Sequence, residues 1–183
     1  VSTEYPDLDI RSNITELMAI YPEGDRGEIM GLLETIRARL ESHPIVSGFD
    51  KLPSLKVAKT RAPGSLPNVP WISILDSKIT DSTRFGIYCV YLFKADMSGL
   101  YLTYNQGAGI SVEGGVAGVD LPRLRSRANE IRASLGWIKD YGFSLDESMD
   151  LGSGGPARSY EAGCIAHKYY PLENMPSDVE LAQ

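Results

Sequence analysis

The sequence predicts an α+β fold, in which a mixed or antiparallel β-sheet with packed helices follows an N-terminal helical hairpin. The first observation behind this prediction is the spacing of apolar residues, which is helical between residues 10 and 42 and alternates as in strands from residue 55. The second is the length of 183 residues, which suits one domain with a sizeable core. We therefore divide the chain into a helical segment, residues 1–50, and a sheet-bearing segment, residues 51–183, that form a single compact unit.

Two amphipathic segments predict the helical hairpin. The first covers residues 10–20 and the second covers residues 25–42. A Tyr-Pro-Glu-Gly turn at residues 21–24 separates them, and Pro44 ends the second. We expect the apolar faces of both helices to pack on the rest of the chain.

Alternating apolar residues and turn-forming connectors predict the strands of the sheet. In chain order these strands cover residues 55–59, 69–75, 85–93 and 100–104, with a short candidate at 143–145. A Gly-rich stretch at 107–118 is either a mobile loop or a short extra hairpin, and residues 121–135 form an amphipathic helix with Asp120 as its N-cap. Residues 160–170 form another strand or a turn that leads into one, and residues 176–180 begin a helix.

Charge is distributed unevenly along the chain, although the net charge of −6 taken alone argues against a nucleic-acid ligand. Residues 1–50 carry 4 basic and 10 acidic side chains, and residues 141–183 carry 2 basic and 7 acidic ones. Residues 51–140 carry 12 basic and 7 acidic side chains, which makes them a basic island in an acidic chain. Because a polyanion responds to the local field, this island is compatible with DNA binding.

Several kinds of site are disfavoured by the sequence. The two cysteines and two histidines form no cluster, so we expect no zinc site. No apolar run approaches the roughly 20 residues needed to span a bilayer. Residues 1–9 show no signal-peptide pattern, so we expect a cytoplasmic protein without a membrane partner.

Motifs that would indicate catalysis are also missing. The glycine-rich residues 152–155 lack the Gly-Lys-Ser/Thr end of a Walker A loop, and residues 107–109 do not lie in a βαβ unit. Asp-Ser-Lys at residues 76–78 resembles half of a metal-dependent nuclease site, but only Asp7 could complete it, and the same tripeptide is ordinary in turns. We therefore predict a recognition domain that is not an enzyme and uses no cofactor.

Five segments spread over nearly the whole chain carry a recognisable pattern. In order they are Val-Pro-Trp-Ile-Ser-Ile at 69–74, Gly-Ile-Tyr-Cys-Val-Tyr-Leu-Phe at 86–93, Leu-Tyr-Leu-Thr-Tyr-Asn-Gln-Gly at 100–107, the helix at 123–135 and Ser-Tyr-Glu-Ala-Gly-Cys-Ile-Ala at 159–166. Their order and spacing resemble the N-terminal DNA-binding domain of McrB-type modification-dependent (type IV) restriction proteins. The N-terminal helix pair fits the same family.

The resemblance implies that residues 51–183 bind double-stranded DNA with a modified base, 5-methyl- or 5-hydroxymethylcytosine, and turn that base out into an aromatic pocket. By position, the pocket would consist of Trp71, Tyr88, Leu92 and Tyr160. For the aromatic residues the alternative is ordinary core packing. The family also implies a partner, a nuclease or NTPase domain or subunit, within a restriction system that acts against phage.

The loop before Trp71 matches the family loop that enters the DNA and fills the space left by the flipped base. Its residues are Arg61, Ala62, Pro63, Gly64, Ser65 and Leu66. This loop departs from the family because it carries no aromatic plug. Either Arg61 stacks into the gap or Leu66 wedges the base step.

The basic island supplies candidate contacts to the DNA backbone, although a solvated surface is the alternative for the helix arginines. These candidates are Lys56, Lys59, Arg84, Arg123, Arg125 and Arg127. Asn105 and Gln106 either hydrogen-bond a base edge or end a strand. Two alternatives to modified-base recognition stay open, a generic DNA-docking module and a protein-assembly module.

Overall fold

The structure is a computed structural model that describes residues 7–47, 55–112, 115–152 and 154–183. The helices within these ranges are α1 (Ile10–Ile20), α2 (Arg26–Ser42), α3 (Pro44–Ser47), α4 (Leu121–Arg132), α5 (Gly155–Gly163) and α6 (Asp178–Ala182). The strands are β1 (Leu55–Lys59), β2 (Trp71–Asp76), β3 (Ile87–Phe93), β4 (Gly99–Gln106), β5 (Ile110–Val112), β6 (Gly115–Ala117) and β7 (Cys164–Pro171). The predicted boundary between residues 50 and 51 lies outside the described residues.

Five strands form one sheet in the order β1-β2-β3-β4-β7. Each neighbouring pair is antiparallel, so the predicted α+β fold is confirmed and its sheet is antiparallel. The strands β5 and β6 pair separately, which shows that the Gly-rich stretch forms a short extra hairpin. None of the helices in the described part of the chain is long and apolar enough to cross a membrane.

The N-terminal helices cover one face of the sheet. Asp25 begins α2 as its N-cap, because its carboxylate accepts hydrogen bonds from the backbone N–H groups of Gly27 and Glu28. Buried residues of both helices share one core with Tyr91 and Phe93 of β3. The predicted packing of the helical hairpin on the sheet is therefore confirmed.

A second core cluster lies on the opposite face of the sheet. Side chains of a strand alternate between faces, so Tyr88, Val90 and Leu92 point away from α1 and α2. They pack with Met149 and Leu151 from the segment before α5. This face, which we call the recognition face, carries the candidate site.

Several predicted boundaries differ from the structure: β2 covers residues 71–76 instead of 69–75, β4 covers 99–106 instead of 100–104, and the strand candidate at 143–145 is only an isolated bridge between Ser144 and His167. Residues 155–163 form α5 and β7 begins at Cys164, where the sequence predicted a loop to residue 156 and, from residue 160, a strand or a turn that leads into one. Pro156 suits the first turn of that helix, because the N–H that proline lacks would have no partner there. The strand predicted from residue 85 begins at Ile87, because Gly86 turns the chain with a φ of 75°. The helix predicted to residue 135 ends at Arg132.

Asp178 joins the last helix to the first. Its carboxylate accepts hydrogen bonds from the N–H groups of Leu8, Ile10 and Arg11, at 2.8, 3.0 and 2.7 Å. These groups belong to the start of α1, which has no partners for them within the helix. Burial acts to raise the pKa of Asp178, but the N–H bonds outweigh it and hold the pKa below its usual value.

We predict that Asp178→Ala lowers the free energy of unfolding at pH 7 by about 1–3 kcal/mol, because it leaves buried N–H groups without a partner. The folded-state pKa is lowered, so this stabilisation is present above the unfolded carboxyl pKa of about 3.9 and is lost as the pH falls through the folded value. Denaturant unfolding of both proteins at descending pH measures the difference. Glu173→Ala, at an exposed position, is the control and should leave stability unchanged.

Candidate nucleic-acid interface

A pocket of about 330 Å³ opens on the recognition face, at the end of the sheet where β3 begins and β4 ends. Its volume lies within the roughly 300–1,000 Å³ that is usual for small-molecule sites. Its walls come from the loop before β3, the segment after β4, Val119 in the segment that leads to α4, and the first turns of α5. The lining residues are Thr83, Arg84, Tyr88, Gln106, Ala108, Gly109, Val119, Pro156, Ser159 and Tyr160.

Glycine residues allow the loop before β3 to lie against the segment after β4. Gly107 donates its N–H to the carbonyl of Gly86 at 2.9 Å, and Gly109 donates to the carbonyl of Arg84 at 2.8 Å. A Cβ atom on Gly109 would lie 2.7 Å from Arg84 O, too close for any other residue without a shift. Backbone contact at this distance fixes one wall of the pocket.

The opposite wall depends on the contact between α5 and the end of β4. Asn105 is buried and donates its Nδ2–H to the carbonyl of Tyr160 at 3.0 Å, while its Oδ1 accepts the N–H of Gln106 at 2.8 Å. The β4–β7 register shifts between Tyr104 and Asn105, and this irregularity accompanies the turn of the chain toward α5. Asn105 thus positions Tyr160 from behind the pocket.

The two tyrosines are apolar walls with neutral hydroxyl groups. Tyr88 is buried, and its hydroxyl donates to the carbonyl of Thr83 at 2.8 Å. Burial raises the pKa of both Tyr88 and Tyr160, so neither ionises near neutral pH. Aromatic walls of this kind suit a planar, uncharged ring system.

Gln106 supplies a polar atom at the pocket wall. Its side chain donates Nε2–H to the carbonyl of Leu124 in α4 at 2.7 Å, and the residue is 2% exposed. Its Oε1 has no hydrogen-bond partner among the described residues. Gln106 also lines a smaller, adjoining pocket together with Arg123 and Arg127.

Three arginines lie at the pocket or at the smaller pocket that adjoins it. Arg84 contributes to its wall, and Arg123 and Arg127 line the adjoining pocket. All three side chains are exposed, and within the described part of the chain none of them forms an ion pair. Exposed cations without an acidic partner can attract phosphate groups without first breaking an ion pair. Arg125, also predicted as a backbone contact, is exposed on the same helix.

The four residues predicted for the base pocket belong to one apolar cluster, but they differ in access. Tyr88 and Tyr160 line the open pocket. Trp71 is half-buried and pairs across strands with Leu92, which is 0% exposed. Leu92 lies four residues from Tyr88 along β3, which corresponds to about 13 Å. The structure therefore places Trp71 and Leu92 at the other end of the recognition face, outside the open pocket.

The predicted DNA-entering loop leaves the sheet at the same end as Trp71. Arg26 of α2 donates to the carbonyl of Ala62, and the hydroxyl of Tyr21 donates to the carbonyl of Pro67 at 2.7 Å. Between these anchors Pro63, Gly64 and Ser65 are exposed, with Arg61 exposed and Leu66 half-buried beside them. The loop is thus held at its base and open at its tip.

The two lysines predicted to contact DNA lie on β1. Lys56 is exposed and has the same strand orientation as Ala58, on the recognition face. Lys59 points to the other face, where its Nζ lies 3.7 Å from Glu34 of α2. Lys59 therefore already has an acidic partner, and Lys56 does not within the described residues.

A second pocket, of about 640 Å³, lies on the face that α1 and α2 partly cover. The exposed Trp137 and Tyr141 line it, with ring centroids 5.9 Å apart. No residue predicted for the site lines this pocket.

The residues 76–78 considered for a nuclease form a turn, in which Asp76 accepts the N–H of Lys78 at 2.9 Å. In the ranges that the structure describes, no group of three or more His, Cys, Asp or Glu residues could hold a metal ion.

Sequence reasoning identified the polar and aromatic walls of the pocket but missed six lining residues. These are Thr83, Ala108, Gly109, Val119, Pro156 and Ser159. The one available signal was the Gly-Ala-Gly sequence at 107–109 directly after a strand, because such glycines permit close backbone approach. The helical form of residues 155–163 gave no such signal.

An aromatic pocket lined by Arg84, beside a smaller pocket lined by Arg123 and Arg127, has the features of a nucleic-acid-recognition domain. The chain belongs to the family described as MrcB-like, N-terminal domain, whose model matches residues 30–183. Membership confirms the predicted family and supports a DNA-binding role in restriction. No curated protein and no solved structure matches the chain significantly.

We predict that Gly163→Ala disturbs the pocket. A Cβ at this position would lie 2.7 Å from Asn105 Oδ1 and 3.0 Å from Gln106 O, so α5 must move away from β4. We expect a loss of about 1–3 kcal/mol in the free energy of unfolding, measured by chemical denaturation. Gly155→Ala is the matched control on the same helix, because a Cβ there meets nothing within 4 Å. Equal stability of the two variants would contradict the packing described for α5.

Proposed function

We propose that this protein recognises DNA with a modified base, 5-methyl- or 5-hydroxymethylcytosine, by enclosing the flipped base in the pocket between Tyr88 and Tyr160. The observation that carries the proposal is the pocket itself, which combines two aromatic walls, a buried amide and arginines at its edge. Family membership supports the DNA-binding part. We also propose a partner, a nuclease or NTPase domain or subunit, that acts on the DNA once this domain has bound it.

Base enclosure is consistent with the energies involved. Turning a base out of a duplex costs a few kcal/mol. Stacking on an aromatic side chain returns about 1–3 kcal/mol per base. Two aromatic walls can therefore offset the cost of flipping, and small differences in apolar contact then separate a modified base from an unmodified one.

Trp71 and Leu92 extend this site along the recognition face. They belong to the same apolar cluster as Tyr88 and Tyr160. In this proposal the exposed tip of the 61–66 loop contacts the duplex at the Trp71 end. The arginines at the pocket end contact the phosphates that flank the flipped base.

We predict that Tyr160→Ala lowers the affinity for a 5-methylcytosine duplex about tenfold or more, because one stacking surface is lost. Tyr160→Phe keeps the ring and should retain the affinity. Competition binding with otherwise identical methylated and unmethylated duplexes measures both the affinity and the preference. Tyr141→Ala, at an exposed tyrosine of the second pocket, is the control for general effects of removing a tyrosine.

The wild-type domain provides the decisive outcome for the proposal as a whole. A preference for methylated or hydroxymethylated duplexes supports base recognition, and Trp71→Ala then shows whether the far end of the cluster takes part. Equal affinity for all duplexes would exclude base recognition and leave a generic DNA-docking module. Absence of binding at moderate salt would leave a protein-assembly module.

We predict that Arg84→Ala, Arg123→Ala and Arg127→Ala each make the slope of log affinity against log salt concentration shallower by about 0.9. Each variant loses one phosphate contact, so binding releases fewer counterions from the DNA. These changes should be similar for modified and unmodified duplexes, since phosphate contacts carry no base information. Lys139→Ala, exposed beside the second pocket, is the control and should leave the slope unchanged. Titrations at several salt concentrations measure the slopes.

A further inference from the structure

The buried amide of Gln106 is incompletely bonded at the wall of the open pocket. Its Nε2 is committed to the carbonyl of Leu124 at 2.7 Å. Because a carbonyl oxygen only accepts hydrogen bonds, the nitrogen of the amide must face Leu124, and the oxygen must face elsewhere. The orientation of the amide is therefore fixed by its partner.

The Oε1 atom of Gln106 is an acceptor without a donor. The residue is 2% exposed, and the oxygen has no partner among the described residues. Most buried polar atoms in folded proteins have a partner, because an unmatched one carries a desolvation penalty. The oxygen itself is covered in the unbound protein, so a ligand that uncovers it and brings a donor to it would remove that penalty.

We propose that Gln106 Oε1 accepts a hydrogen bond from the exocyclic amino group of the flipped base, so that the pocket selects an amino-bearing ring over its keto counterpart. This inference rests on the proposed function, and it adds the chemical feature of the base that the pocket requires. Cytosine presents an N4 amino donor, whereas thymine and uracil rings present an O4 acceptor at the same position. A keto ring would therefore place two acceptors face to face.

The neighbouring residues fit this assignment. Tyr88 and Tyr160 hold the faces of the ring, while Gln106 lies at the pocket wall between the end of β4 and α4. The hydroxyl of Tyr88 is already bonded to Thr83 O, and Asn105 uses both ends of its amide within the protein. Of Tyr88, Asn105 and Gln106, Gln106 is the one whose buried side chain has a polar atom with no hydrogen-bond partner among the described residues.

The test compares pairs of duplexes that differ only at the amino position. We would measure the affinity for 5-methylcytosine against thymine, and for 5-hydroxymethylcytosine against 5-hydroxymethyluracil, each placed opposite guanine in one sequence. Thymine and hydroxymethyluracil then form mismatches, which flip at lower cost. A weaker affinity for the keto base therefore cannot come from its cost of flipping. We expect the wild-type protein to prefer each amino base about tenfold or more.

Two variants isolate the acceptor from the bond to α4. Gln106→Glu and Gln106→Met both remove the Nε2–H that binds Leu124 O, but a carboxyl group keeps an acceptor oxygen and a thioether does not offer a comparable one. We expect the ratio of the affinity for the amino base to that for the keto base to stay high in Gln106→Glu. In Gln106→Met the same ratio should fall toward one. Besides Gln106 Oε1, the hydroxyl of Ser73 is the other buried polar atom on the recognition face without a partner among the described residues. Ser73→Ala removes it and should leave the ratio of affinities for the amino and keto bases unchanged.

The outcomes separate this inference from the proposed function. Equal affinity for amino and keto bases, with both preferred over unmodified cytosine, would overturn the role of Gln106 alone. An unchanged ratio in Gln106→Met would do the same. Equal affinity of the wild-type protein for every duplex, modified or not, would overturn the proposed function and this inference together.

Discussion

Asn105 holds α5 against the end of β4, and the geometry of the pocket depends on that contact. One buried amide bonds both Tyr160 and the backbone of Gln106, so two wall residues are positioned by a single side chain. The absence of a side chain at Gly163 lets the two elements meet. Because a buried amide with a missing partner is costly, this arrangement leaves Tyr160 little freedom to relocate while α5 stays folded.

The two faces of the sheet contribute differently to stability and to binding. The face under α1 and α2 is closed by apolar packing and by the hydroxyl of Tyr91, which donates to the carbonyl of Leu181. The recognition face retains two buried polar atoms without partners in the described chain, Ser73 Oγ and Gln106 Oε1. Unmatched atoms lower stability, and the closed face offsets that loss. The unmatched Gln106 Oε1 thus leaves the recognition face with an acceptor for a ligand's donor.

The sequence alone predicted those helices and strands whose apolar periodicity lies within a short segment of the chain. The bounds of α1 and β1 were predicted to the residue, because apolar periodicity alone defines them. The helix at 155–163 was missed because its residues are few and its apolar content resembles a strand. The shape of the pocket could not be predicted, because it depends on Gly109 meeting Arg84, a contact between segments distant in the chain. The family resemblance predicted aromatic residues that the structure places in one cluster, but it could not tell which of them line the open pocket.

The bond between Asp178 and the start of α1 brings the two ends of the described chain to one place. Residue 8 and the last helix meet beside the helical hairpin, across the sheet from the recognition face. A tether attached at residue 8 or at α6 would therefore leave from the side of the sheet opposite the recognition face. A fluorescent label, an affinity tag or a fused effector could be exchanged between the ends with little change in its reach, and a short peptide could join the ends to make a circularly permuted protein.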